Sequence, residues 1–124
     1  MAKILIADDE APVREVLRDL LTDAGYEVEE AADGEEALRR FRATTPDLVI
    51  TDILMPKAGG LNLLRELREL APSLPVIAIS GGGKDGKLNF LSTAAMFPGV
   101  RTLKKPFHMT ELLRLVDAGL ASVI

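Results

Sequence analysis

Leu48-Val49-Ile50, with Pro46 just upstream and Thr51-Asp52 downstream, is an apolar run with no polar residue at alternate positions. A strand of that composition is buried on both faces, as strands of a parallel sheet are. Working outward, Ile4-Leu5-Ile6-Ala7 and Pro75-Val76-Ile77-Ala78-Ile79 read the same way, and Val100 to Leu103 makes a short further strand. Tyr26 to Ala31 alternates, as a strand with a wetter face does. Amphipathic stretches separate these runs. Val13, Val16, Leu17, Leu20 and Leu21 fall at helical spacing, with Pro12 in the first turn and Gly25 as a stop. Asp33 and Glu36 form a capping box ahead of Ala37, Leu38 and Phe41. Leu63, Leu64, Leu67 and Leu70 predict a third helix closed by Pro72. Leu88 to Phe97 predicts another, ended by Pro98-Gly99, and Met109, Leu112, Leu113, Val116 and Leu120 the last. Strand and helix alternate five times, which predicts an α/β fold with a parallel sheet covered on each side by helices.

The 124 residues suit one domain, spanning 1–124, and no Pro/Gly/Ser-rich linker divides them. Hydrophobic residues make up 48% and aromatics 4%, so the core must rest on Leu, Val, Ile and Ala. The absence of cysteine excludes disulfides, thiolate metal sites and a cysteine nucleophile. No apolar run approaches the roughly 20 residues of a membrane span, and Ile4 to Ala7 is too short for a signal segment. A formal charge of −4 argues against a nucleic-acid partner, because phosphate contacts need clustered cations. Arg39, Arg40 and Arg42 read as a solvated helix face. The expectation is a cytoplasmic, soluble protein with neither a nucleic-acid nor a membrane partner.

In a parallel sheet, ligands bind beyond the carboxyl ends of the strands. Asp8 and Asp9 follow the first strand, Asp52 follows the third after Thr51, Ser80 ends the fourth, and Lys104-Lys105-Pro106 ends the fifth. Three carboxylates gathered on one edge repel unless a cation neutralises them, and hard oxygen ligands select Mg²⁺. With a lysine added, such a site becomes receptive to a phosphoryl group, whose transfer needs mainly positioning and charge neutralisation. A carboxylate in line with the phosphorus can then act as nucleophile and form an acyl phosphate.

Asp8-Asp9, Asp52-Ile53-Leu54-Met55-Pro56 with Gly60, Ser80, and Lys105-Pro106-Phe107 together resemble the receiver domains of two-component signalling, and the resemblance spans nearly the whole chain. It implies a doubly wound, flavodoxin-like sheet of strand order 2-1-3-4-5. It further implies Asp52 as phosphoacceptor and Mg²⁺ as cofactor, held by Asp8, Asp9, Asp52 and the backbone carbonyl of Leu54. Ser80 and Lys105 would contact the phosphoryl group, and the Lys105-Pro106 bond would be cis. The implied partners are a histidine kinase or histidine phosphotransfer protein and a downstream effector. Such a chain is a regulatory phosphoacceptor that promotes its own phosphotransfer and dephosphorylation, not a turnover enzyme.

Several residues depart from the family pattern. Thr102 stands where an aromatic three residues before the lysine is common, so an aromatic swing cannot report the signal. Gly59 stands where an Asp is frequent, and the loop after Ser80 is glycine-rich. Gly81-Gly82-Gly83-Lys84-Asp85-Gly86-Lys87 has the spacing of a phosphate-binding loop, but Leu88 lacks the needed hydroxyl and Asp85 brings negative charge. It reads as coincidence. Phe90, Ala94 and Phe97 form a second apolar stripe that suits either core packing or a partner surface. Asp8, Asp9 and Glu10 would also suit a helix N-terminus, though capping does not account for Asp52 and Lys105. His108 reads as a cap or surface residue. The rival functions are a receiver-like module that is never phosphorylated and an aspartate-nucleophile phosphohydrolase. The latter usually has its two acids separated by one residue, whereas Asp8 and Asp9 are adjacent. A flavin-binding role is disfavoured because Asp8-Asp9-Glu10 would repel the cofactor phosphate.

Overall fold

The computed structural model describes residues 2–53, 60–80, 99–105 and 107–121. Five parallel strands, β1 (Lys3–Ala7), β2 (Glu27–Ala31), β3 (Leu48–Asp52), β4 (Val76–Ser80) and β5 (Val100–Lys104), lie in the order β2-β1-β3-β4-β5. The helices are α1 (Ala11–Asp23), α2 (Gly34–Thr44), α3 (Gly60–Leu70) and α4 (Met109–Ala121). The helix expected over Leu88 to Phe97, the glycine-rich loop before it, Leu54 and Pro106 all lie outside the described residues.

Strand alternation sorts the core into two layers. Leu5, Ala7, Val49, Val76 and Ala78 pack with Ala37, Leu38 and Phe41 of α2 and Leu63, Leu64 and Leu67 of α3. Ile4, Ile6, Leu48, Ile50, Ile77, Ile79 and Leu103 pack with Leu17 and Leu21 of α1 and Leu112 and Val116 of α4. Both faces are therefore covered, as the uninterrupted apolar strands require. β2 lies at the sheet edge, and its pattern of half-buried residues reflects that place.

Local signals act much as expected. α1 starts with Pro12 in its first turn and ends at Gly25, whose φ of +97° a side chain would strain. The Tyr26 N–H reaches the Leu21 carbonyl and the Gly25 N–H that of Thr22, which satisfies the last turn. At α2, Asp33 accepts from the Glu36 N–H at 2.8 Å. Glu36 accepts in return from the Ala32 N–H at 2.7 Å, one residue before the usual partner in a capping box.

Several expectations need correction. β2 begins at Glu27 rather than Tyr26, and β5 runs on through Lys104, which pairs with Ser80. β3 runs through Thr51 and includes Asp52, because Asp52 is paired in register with Ile79. β4 begins at Val76, and Pro75, which has no N–H to donate, serves only as acceptor for the Val49 N–H. Val16, Leu70 and Met109, placed by periodicity on apolar faces, are 50%, 47% and 41% exposed. Each belongs to a helix whose buried stripe is already filled, by Leu17 and Leu21, by Leu63, Leu64 and Leu67, or by Leu112 and Val116.

Tyr26, just before β2, is clipped to α4. Its hydroxyl donates to Asp117 Oδ1 at 2.5 Å, and this bond, burial and the Asp117 charge raise the phenol pKa from 10.0 to about 12. The unfolded phenol ionises near pH 10, so the clip's contribution is whole below that pH and lost as pH rises toward 12. The chain has one tyrosine and no tryptophan, so phenolate absorbance reads Tyr26 alone. We expect a titration midpoint near 12 in the folded protein, moving toward 10 in Asp117→Asn.

Candidate functional site

Asp8, Asp52 and Lys105 each stand two positions beyond a residue of the core layer under α1 and α4: Ile6, Ile50 and Leu103. Alternation along the strands therefore sends all three toward the same side of the sheet's carboxyl edge. The register, Ala7 opposite Thr51 and Ile79 opposite both Asp52 and Leu103, sets them at one level. Lys104, of opposite parity, is exposed. His108 is exposed, and its carbonyl accepts the Glu111 N–H at the start of α4.

Asp52 is 6% and Asp8 2% exposed. Lys105 Nζ donates to Asp52 Oδ2 at 3.2 Å and lies 3.8 Å from Asp8 Oδ2 and 3.9 Å from Glu10 Oε1. The Asp8 N–H bonds to the Ala31 carbonyl at 3.1 Å, and Asp8 Oδ1 accepts the Glu10 N–H at 2.9 Å. Thr51 Oγ1 donates to the Asp52 carbonyl at 2.9 Å, and the Ile53 N–H continues the ladder to the Ile79 carbonyl. Ser80 ends β4 opposite Lys104, but the contacts of its side chain lie outside the described residues.

One carboxylate oxygen each from Asp8, Asp9, Glu10 and Asp52 lies within 4.8 Å of the others. Four such groups against the Lys105 ammonium leave the pocket anionic. Burial, with the Asp52 charge adding to it, holds the Asp8 carboxyl above its usual pKa, although the Glu10 N–H bond pulls it down. Burial also opposes the Lys105 charge, yet Asp52 and Asp8 outweigh it and leave the ammonium pKa raised. For a carboxyl with a raised pKa, the folded state keeps the proton after the unfolded chain has lost it. Asp8 therefore lowers stability as pH rises through that window. A hard cation would relieve this cost, and an all-oxygen donor set suits Mg²⁺. The residues present fit the metal.

Sequence reasoning did not separate Glu10 from helix-capping acids. It is the N-cap residue of α1, but its side chain makes no capping bond, and its own N–H is the group capped. Its carboxylate joins the pocket instead, and the signal was the unbroken acidic run Asp8-Asp9-Glu10. Arg14 also bears on the pocket, and no motif in the sequence marks it. Its Nη1 donates to the Asp8 carbonyl at 2.6 Å. Beside the pocket runs an apolar groove of about 480 Å³ lined by Pro12, Val13, Val16, Phe107 and Met109, with Lys105 in its wall.

A profile of the response regulator receiver domain matches residues 4–117. The chain belongs to this family. It is 39% identical over 117 residues to the chemotaxis protein CheY of Thermotoga maritima, covering 93% of this chain and 94% of that protein. It is 38% identical to response regulator MprA of Mycolicibacterium vanbaalenii over 94% of this chain but 49% of MprA. The chain thus spans about half the length, or less, of several curated relatives it matches. A response regulator receiver domain protein from Clostridium thermocellum superposes with a TM-score of 0.86 at 34% identity, over 98% of this chain and 95% of that one. CheY4 of Vibrio cholerae superposes at 0.84 with 31% identity, over 97% and 99%. The receiver family and the flavodoxin-like fold expected from the strand-end motifs are both borne out. Among the described residues, no helix of this receiver is long and apolar enough to cross a membrane.

Proposed function

We propose that residues 1–124 act as one cytoplasmic receiver domain that accepts a phosphoryl group on Asp52 from a phosphohistidine donor. The Lys105–Asp52 bond of 3.2 Å, set inside a cluster of four carboxylates, carries the proposal. It pairs a buried nucleophile with a cation that can follow the negative charge as it moves onto the incoming group.

Asp8, Asp9 and Asp52, with the Leu54 carbonyl, would hold Mg²⁺, which when bound supplies positive charge against the pocket and the phosphoryl oxygens. An Asp52 carboxylate oxygen attacks phosphorus, and the O–P bond forms as the P–N bond to the donor imidazole breaks. The electron pair of that bond stays on the imidazole nitrogen, which takes a proton from solvent. Lys105 Nζ holds Asp52 beforehand and the phosphoryl oxygens afterward. Ser80, at the end of β4, would donate a hydrogen bond to the same oxygens. The new charge shifts the balance between two arrangements of a surface that an effector protein reads.

The groove at α1 supports a protein donor, because Val16 and Met109 expose apolar area beside Lys105. Val16→Asp is expected to slow transfer from a phosphohistidine protein by about tenfold, the effect of losing one apolar anchor. Comparing that rate with the rate from acetyl phosphate checks whether the loss is one of docking. The proposal as a whole is tested by intact mass after incubation with acetyl phosphate. One phosphoryl group should appear with Mg²⁺ present and fail to appear under a chelator. Turnover of phosphomonoesters without a retained adduct would favour a hydrolase instead.

A further inference from the structure

Asp8 and Asp9 are neighbours, and neighbours in an extended chain point to opposite faces. Both nevertheless contribute oxygens to one cluster, so the chain must turn between them. Three bonds hold that turn. The Asp8 N–H is tied to the Ala31 carbonyl, Asp8 Oδ1 caps the Glu10 N–H, and the Asp8 carbonyl accepts from Arg14 Nη1. The first does not restrain rotation of the Asp8–Asp9 peptide, and the second, which closes across that peptide, loosens with such a rotation. The third opposes it directly, because it fixes where the carbonyl points and hence where Asp9 begins.

Arg14 is itself anchored at its other side. Its side chain is 18% exposed, and Nε lies 3.4 Å from Glu30 Oε1, an ion-pair distance without the alignment of a hydrogen bond. Glu30 sits on the edge strand β2, and its second oxygen is 3.2 Å from Arg18 Nη1. Two arginines of α1 thus grip one carboxylate of β2, but only Arg14 is bonded onward to Asp8.

We propose that Arg14, anchored on Glu30, is a positioning residue that holds the Asp8–Asp9 turn so that both carboxylates face one cation. This rests on reading the acidic pocket as a Mg²⁺ site. The sign of the effect separates positioning from charge. Removing a nearby positive charge should by Coulomb attraction alone tighten cation binding, whereas loosening the turn should weaken it.

Calorimetric Mg²⁺ titration of Arg14→Ala should give a dissociation constant raised about tenfold, the size typical when a residue supporting a metal ligand is lost. Arg14→Lys, which keeps one donor for the Asp8 carbonyl, should recover part of that loss. Arg18→Ala, which frees the other oxygen of Glu30 without touching Asp8, should change binding less than about twofold, as an exposed ion pair would. In metal-free protein, exchange of the Glu10 amide should be faster in Arg14→Ala than in wild type or Arg18→Ala. Unchanged or tighter Mg²⁺ binding in Arg14→Ala, equal losses in the two variants, or an unchanged Glu10 amide would overturn the proposal. Should wild type bind no Mg²⁺, the cation reading falls and the positioning claim with it, even though the amide data would still show whether Arg14 holds the turn. If Arg14→Ala fails to fold, Arg14→Lys decides, and wild-type values for both measurements despite its lost Glu30 contact would count against the anchor.

Discussion

Asp52→Asn is expected to retain no phosphoryl group after incubation with Mg²⁺ and acetyl phosphate, under conditions where wild type acquires one. The amide keeps the size of the side chain and can still accept from Lys105, so the fold should survive. What disappears is the anionic oxygen proposed to attack phosphorus, and among the described residues no other carboxylate lies as near the Lys105 ammonium. Asp8 lies 3.8 Å from the ammonium where Asp52 lies 3.2 Å away. Asp8 also spends one oxygen on the Glu10 N–H. Intact mass, with circular dichroism to confirm folding, checks this outcome. An undiminished adduct on the variant would move the acceptor elsewhere in the pocket.

Lys105→Met should separate two properties that a simple loss of structure would move together. The ammonium offsets part of the charge of Asp8, Glu10 and Asp52. Without it the pocket becomes more anionic, so Mg²⁺ should bind more tightly. Phosphorylation from acetyl phosphate should nevertheless slow by about 10²- to 10³-fold, the usual effect of deleting one preorganised charge-stabilising donor. Methionine preserves the apolar stem that lines the groove beside Phe107 and Met109, which limits the change to the charge. Calorimetry for the metal and a mass time course for the phosphoryl group read the two effects independently. Parallel loss of both would show Lys105 acting through the fold alone.

The sheet was legible because its central strands are short, wholly apolar runs bounded by breakers such as Pro46 and Pro75, a pattern that fits strands covered on both faces. Helix ends were legible where Pro12, Gly25 and Asp33 punctuate the chain. The site was legible as a set of strand-end residues, yet the choice between Lys104 and Lys105 came from family pattern. The structure supplies the physical criterion. Lys105 shares parity with buried Leu103, just as Asp52 does with Ile50 and Asp8 with Ile6. Periodicity could not show that Val16 and Met109 stay exposed, because an apolar residue flanking a helix's buried stripe has the same spacing whether it is covered or open. Glu10 and Arg14 were hidden for another reason. Their roles depend on the turn between β1 and α1, which is held in part from β2, by the Ala31 carbonyl and the Glu30 carboxylate, about twenty residues further along the chain.

An acyl phosphate, unlike a phosphate ester, is reduced by borohydride at the carbonyl carbon, which leaves a mark on the residue that carried it. The decisive measurement is therefore to phosphorylate the protein with acetyl phosphate and Mg²⁺, reduce it, and map the peptides by mass. Reduction confined to the side chain at position 52 is the predicted result. A mark on Asp8 or Asp9, or an intact phosphoester on Ser80, would contradict it.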